Sequence, residues 1–158
     1  MLASGGTSTS FARSGAGDSE SMAYWLFKSE PGAWSWDDQV RAGTDTWDGV
    51  RNAQAAANMK AMKVGDLGFF YHSVNEKRIV GIVEVVREYY PDPSDPTGRF
   101  GMVDVRAVKP VGQPVTLAEI KADPAFADFG LVRQSRLSVV PVNEQQWRRL
   151  CEMAEVEA

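Results

Sequence analysis

Three stretches of the chain set polar groups among aromatic rings. Trp25-Leu26-Phe27-Lys28-Ser29-Glu30-Pro31 ends an aromatic run in an amine, a hydroxyl and a carboxylate. Trp47-Asp48-Gly49-Val50-Arg51-Asn52 puts an indole beside a turn and a prospective helix N-terminus. Phe70-Tyr71-His72-Ser73 closes a third run with a phenol, an imidazole and a hydroxyl. An aromatic ring offers a flat face to a nucleic-acid base, worth about 1–3 kcal/mol per stacked base. A pocket for an extruded base also needs partners for its Watson–Crick edge, which Ser, Asn and backbone amides supply. Trp25, Phe27, Phe69 and Phe70 read as core. Trp47, next to Asp-Gly and outside a regular strand, leans toward exposure in a site.

Other chemistries leave weaker traces. There is no Gly-x-Ser-x-Gly, no phosphate-binding glycine loop and no His-Glu-x-x-His. Lys28 and Glu30 stand two apart, so a strand would put them on one face. A desolvated lysine beside a carboxylate could act as nucleophile or base on a modified nucleoside. His72 could be a general base, but a strand-end histidine more often bonds to backbone. A third alternative is a protein-interaction domain whose aromatics are all core, which a structure without a cavity at Trp47 would favour.

Composition removes several classes. The chain has 158 residues, one domain's worth, with one Cys, one His and five Trp. A lone Cys151 forms no internal disulfide. One Cys and one His cannot supply the four ligands of a structural zinc, so no metal or cofactor is expected. The net charge of −4 argues against a tight non-specific grip on a long polyanion. Residues 51–90, however, carry six basic and four acidic side chains, enough for a small basic patch. No run of 18 apolar residues and no signal-peptide core is present, so a cytoplasmic or, in a eukaryote, nuclear protein is expected. A monomer is the expected state.

Punctuation along the chain places these residues on elements. Residues 1–21 are rich in Ser, Gly, Thr and Ala and read as a disordered tail or an added extension, leaving a domain over 22–156. Strands are expected at 23–28, 67–72, 78–87, 100–108 and 136–140, with a short extended piece at 46–50. Gly81 inside the strongest of them suggests a bulge or a close neighbour. Ser35, Asn52, Thr116 and Asn143 read as N-caps of short helices, and the last of these puts Trp147, Leu150 and Cys151 on one face. Pro91, Pro93 and Pro96 make 90–98 an irregular loop. Hairpins predominate over regular crossovers, which argues for an α+β domain with an antiparallel, closed sheet.

Six blocks in order also carry a likeness. The three above, with Met62-Lys63-Val64-Gly65-Asp66, Gly81-Ile82-Val83-Glu84-Val85 and Arg136-Leu137-Ser138-Val139, resemble the EVE domain over about residues 23–153. The resemblance implies a PUA-like mixed or antiparallel pseudo-β-barrel of five to six strands flanked by short helices, akin to YTH and ASCH domains. It implies a binding module for a modified base, a modified cytosine or methyladenine in DNA or RNA. On that likeness Trp47 stacks on the base, and Lys28, Ser29, Glu30 and the turn from Trp47 through Asp48, Gly49, Val50, Arg51 and Asn52 line the pocket. Tyr71, His72 and Ser73 form another wall, and Arg136 and Ser138 lie near the rim or a phosphate. ASCH relatives would make the runner-up a small hydrolase working through Lys28 and Glu30. The chain departs from the family at Ala53, Ala56 and Ala57, where an aromatic, an Arg and an Asn are usual, and in a shorter 91–98 loop, which would leave that rim open.

Overall fold

A computed structural model describes residues 22–157; the segment 1–21, read above as a tail, lies outside the described residues. The elements run β1 Tyr24–Ser29, α1 Trp36–Ala42, β2 Thr44–Trp47, α2 Ala53–Lys60, β3 Leu67–His72, β4 Arg78–Pro91 and β5 Gly101–Thr116. Then follow α3 Leu117–Ala122, a 3-10 turn Pro124–Phe126, α4 Gly130–Arg133, β6 Val139–Val142 and α5 Glu144–Met153. Each expected N-cap caps. Ser35 Oγ accepts from Asp38 N–H at 3.1 Å, while Asp38 returns the bond to Ser35 N–H. Asn52 Oδ1 accepts from Ala55 N–H at 2.9 Å.

The six strands form one mixed sheet in the order β2-β5-β4-β3-β1-β6. All neighbours pair antiparallel except β1 and β3, which run parallel because α1, β2 and α2 carry the chain across between them. This α+β fold differs from the expected closed, antiparallel sheet in that parallel β1–β3 pairing and in closure. The hydrogen-bond ladder stays open, with β2 and β6 as its edges. What the ladder leaves open, side chains bridge. Trp47 of edge strand β2 meets Phe27 of β1 edge-on, ring centres 5.0 Å apart, although three strands lie between them in the order. Such curl follows from the right-handed twist of strands and from bulges, and four register shifts interrupt the β4–β5 pairing.

β4 and β5 are longer than expected, reaching Pro91 and Thr116. Pro91 pairs with Gly101 beside the 92–100 loop, where a missing N–H costs the ladder least. β6 begins three residues later than expected, at Val139, which leaves Arg136 and Ser138 in the approach to it.

The core lies on both faces of the sheet. On one, Trp147 of α5 stacks on Phe69 at 4.1 Å and on Tyr24 at 4.5 Å. On the other, Phe70 meets the edges of Trp36 and Trp47. Gly81 answers both halves of its expectation. The register shifts between Ile79 and Gly81, and a Cβ there would stand 2.5 Å from the ring of Trp36. Gly81→Ala should therefore force that buried indole aside and cost about 1–3 kcal/mol, read as a lower urea midpoint at unchanged m-value. A wild-type midpoint would mean that the ring does not sit there.

Candidate functional site

A cavity of about 590 Å³ opens where the end of β1, the end of β2 and the approach to β6 converge. Its walls are Lys28, Ser29 and Glu30 from β1 and its exit, Ala33 and Trp34 from the following turn, and Asp45 through Arg51 from β2 and its exit. Ser138 completes it. Lys28 reaches the wall because β1 pairs there with the chain entering β6: its N–H donates to Ser138 O at 2.9 Å. Its Nζ donates to Ser135 O at 2.9 Å, and partial burial lowers its pKa below the ordinary lysine value. Lys28 forms no ion pair with Glu30 among the described residues, so the amine's partner is a backbone carbonyl rather than a catalytic carboxylate.

Trp34 was not among the expected site residues, nor were Ala33, Asp45 and Thr46. Its half-buried indole is fixed from behind, since Nε1 donates to Gln39 Oε1 at 2.9 Å. Gln39 is fully buried in α1, and its amide donates onward to Gly43 O and Val105 O. Ser29 Oγ donates to the backbone carbonyl of Trp34. The Pro-Gly turn followed by a tryptophan just ahead of a cap was the available signal: an indole outside any strand or helix.

Trp47 corrects an expectation. Its exposure is 8 %, and its ring packs edge-on against Phe27 and, at 5.6 Å, Phe70. The curl that sets β2 against β1 buries it, so it lends the cavity a wall rather than a free stacking plate. After it the chain turns through Gly49, whose φ of 77° is one that L side chains avoid. Gly49 N–H donates to Asp92 Oδ2 at 2.9 Å, and Arg51 Nη1 reaches the same oxygen at 3.2 Å. Ser94 N–H and Oγ take the other oxygen. Burial alone would raise the Asp92 carboxyl, but the Ser94, Gly49 and Arg51 donors outweigh it and pull it down to about 2. The 91–98 loop, expected to leave a rim open, thus clamps the Trp47–Arg51 turn.

The remaining expected residues sit elsewhere. Asn52 spends its side chain on the α2 cap and, with Arg136, edges a shallower depression lined also by Gln54, Arg133 and Leu137. Tyr71 is buried in β3, which pushes its hydroxyl up to about 12. His72 is buried as well: its Nε2 accepts from Trp36 N–H at 3.0 Å and its Nδ1 faces Glu76 at 2.8 Å. That is a strand-end histidine tying α1 to the β3–β4 turn. Ser73 N–H donates to Ser29 O, pinning the same strand ends behind the cavity. Among the described residues no cluster of three or more metal-binding side chains occurs, and no helix is long and apolar enough to cross a membrane.

Known proteins share this fold. The family model described as the EVE domain matches residues 23–153. Human thymocyte nuclear protein 1 is 31% identical over 174 residues, covering 85% of this chain and 75% of that protein. Among solved structures, a protein of Rhodopseudomonas palustris superposes with a TM-score of 0.80 at 52% identity, over 85% of this chain and 94% of that one. Human THYN1 protein in complex with 5-methylcytosine-containing DNA superposes with a TM-score of 0.78 at 32% identity, over 86% and 99%. An ASCH protein from Zymomonas mobilis, 10% identical with a TM-score of 0.51, shares the PUA-like fold alone. The chain belongs to the EVE domain family.

Proposed function

We propose that the cavity holds one modified base of a nucleic acid, with 5-methylcytosine in DNA as the first candidate. The observation that carries this is the cavity itself. Its volume of about 590 Å³ lies within the range of small-ligand pockets, about 300–1,000 Å³, and it joins one half-exposed indole to a ring of hydrogen-bonding groups. The human relative in complex with 5-methylcytosine DNA supports the same ligand. So does the charge of the lining. Glu30, Asp45 and Asp48 line the cavity with Lys28 and Arg51, and Asp45 spends one oxygen on Thr46 N–H. Carboxylates accept from the exocyclic amine of cytosine and repel the carbonyl that thymine carries there. Two features favour this reading over the others: the cavity stands at Trp47, where an all-core interaction domain would have none, and the Lys28 amine donates to the Ser135 carbonyl rather than to Glu30.

The test is a tryptophan-fluorescence titration with single-stranded oligonucleotides that differ at one central base. The 5-methylcytosine strand should quench saturably. Cytosine, one methyl poorer, should bind about tenfold or more weakly. Thymine, which keeps the methyl and lacks the amine, should lose a further 1–3 kcal/mol, roughly 5- to 150-fold. Trp34→Ala should weaken the 5-methylcytosine strand at least about tenfold by removing the stacking face. Equal affinity for all three strands, or indifference to Trp34→Ala, would sink the reading. Preference for the same base in RNA would keep the pocket and change the polymer.

A further inference from the structure

Arg51 belongs to the cavity wall and also begins a second arrangement. Its guanidinium lies over the Phe100 ring at 5.9 Å, and Arg99 covers the same ring at 5.3 Å. Phe100 leads into Gly101, whose N–H donates to the Tyr89 hydroxyl at 2.6 Å. A Cβ on Gly101 would stand 2.6 Å from the Tyr89 ring, so the two aromatic residues flank bare backbone. Over Tyr89, in turn, lies the Lys60 amine at 5.6 Å. The outcome is one contiguous strip, Arg99–Phe100–Arg51 then Tyr89–Lys60, that starts at the cavity mouth and runs beside α2. The eight residues of α2, from Ala53 to Lys60, span about 12 Å at 1.5 Å per residue, the reach of three to four nucleotide steps of about 3.4 Å.

Lys60 and Arg99 join no ion pair among the described residues, on a chain whose net charge is −4. The strip is also held firm. Asp95 accepts from Thr97 N–H, Thr97 Oγ1 and Phe100 N–H, and Asp92 fastens the same loop to Arg51. Cations seated on the half-buried rings of Phe100 and Tyr89 make a surface that grips a nucleic-acid backbone through its phosphates. The aromatic stems also hold the cationic heads in place, which lowers the ordering cost of each phosphate contact.

We propose that this strip binds the phosphodiester backbone of the strand whose base enters the cavity, so that the protein reads its base within a polymer. The inference rests on the base-binding reading, yet the two can fail separately. The strip touches phosphates, so its loss should weaken every strand alike and leave base preference intact.

The experiment compares the full chain with Lys60→Gln, Arg99→Gln and the pair. The ligands are single-stranded DNA of about 12 nucleotides with central 5-methylcytosine or cytosine, titrated across a salt series. Each removed cation should make the slope of log affinity against log salt shallower by about 0.7–1. The ratio between the two strands should not move. Lys121→Gln, on α3 and away from cavity and strip, should leave the slope alone. An unchanged slope in the double variant, with base preference retained, would overturn the strip and spare the base reading. A shallower slope without any base preference would do the reverse. No binding of any strand by the wild-type chain at low salt would overturn both.

Discussion

Trp47→Ala is expected to remove about 3–5 kcal/mol of stability, the ordinary cost of deleting a large aromatic from a core. For a domain of this length, that corresponds to a fall in Tm of roughly 10 °C or more. The expectation follows from the curl of the sheet. Trp47 sits on an edge strand, yet its ring closes the gap between β2 and β1 by meeting Phe27 and Phe70, and only 8 % of it reaches solvent. Removing it opens a void where hydrogen bonds do not bridge the sheet, so the surroundings have no ladder to collapse upon.

The same reasoning separates the two tryptophans of the cavity. Trp34→Ala deletes a half-buried ring held by one hydrogen bond to Gln39, and its effect on stability should be far smaller than that of Trp47→Ala. Thermal unfolding of both variants, beside the oligonucleotide titration, therefore distinguishes wall from stacking face. Trp47→Phe should keep much of the lost stability by retaining an edge contact with Phe27. A Trp47→Ala protein that melts with the wild type would show that the ring is not part of the core, and would return it to the role of exposed plate.

What the sequence disclosed about this site follows from how local each cause is. Ser35, Asn52, Thr116 and Asn143 were legible because a cap is settled within three residues. Lys28 to Glu30 and Trp47 to Arg51 were legible as blocks because each is a strand end running into a turn. Their meeting was not. It depends on β2 lying at the far edge of the sheet and curling back toward β1, a long-range outcome that no short window encodes.

β3 misled for a related reason. Phe70-Tyr71-His72 looks like aromatic and polar groups gathered at a strand end, but β3 lies inside the sheet, between β4 and β1. Both of its faces are covered: Phe69 meets Trp147 on one side and Phe70 meets Trp36 on the other. Alternating residues of such a strand all become core. Trp34 escaped notice in the opposite way, since what makes it a candidate is Gln39 behind it. A glutamine on α1 reads as surface until the helix is laid on β5.

Asp92 provides the second large effect, because one buried carboxylate organises both the cavity turn and the strip. Its 2 % exposure leaves its oxygens to Gly49 N–H, Arg51 and Ser94. Asn is nearly the same shape but replaces one acceptor oxygen by a donor, which would face N–H groups. Asp92→Asn should therefore cost roughly 2–3 kcal/mol at neutral pH, the loss of hydrogen bonds to a charged group. It should also weaken the 5-methylcytosine strand by freeing Gly49 and Arg51. The pH dependence carries a sign. With its pKa pulled from the ordinary 3.8 down to about 2, the folded chain holds this proton less tightly than the unfolded chain does. The stabilisation is present above the ordinary value and is lost as pH falls through about 4 toward 2. Urea midpoints measured over that window should fall more steeply for the wild type than for Asp92→Asn, bringing the two curves together at the acid end. Parallel curves would mean that Asp92 titrates alike in both states and that the clamp on the Trp47–Arg51 turn is not made by its charge.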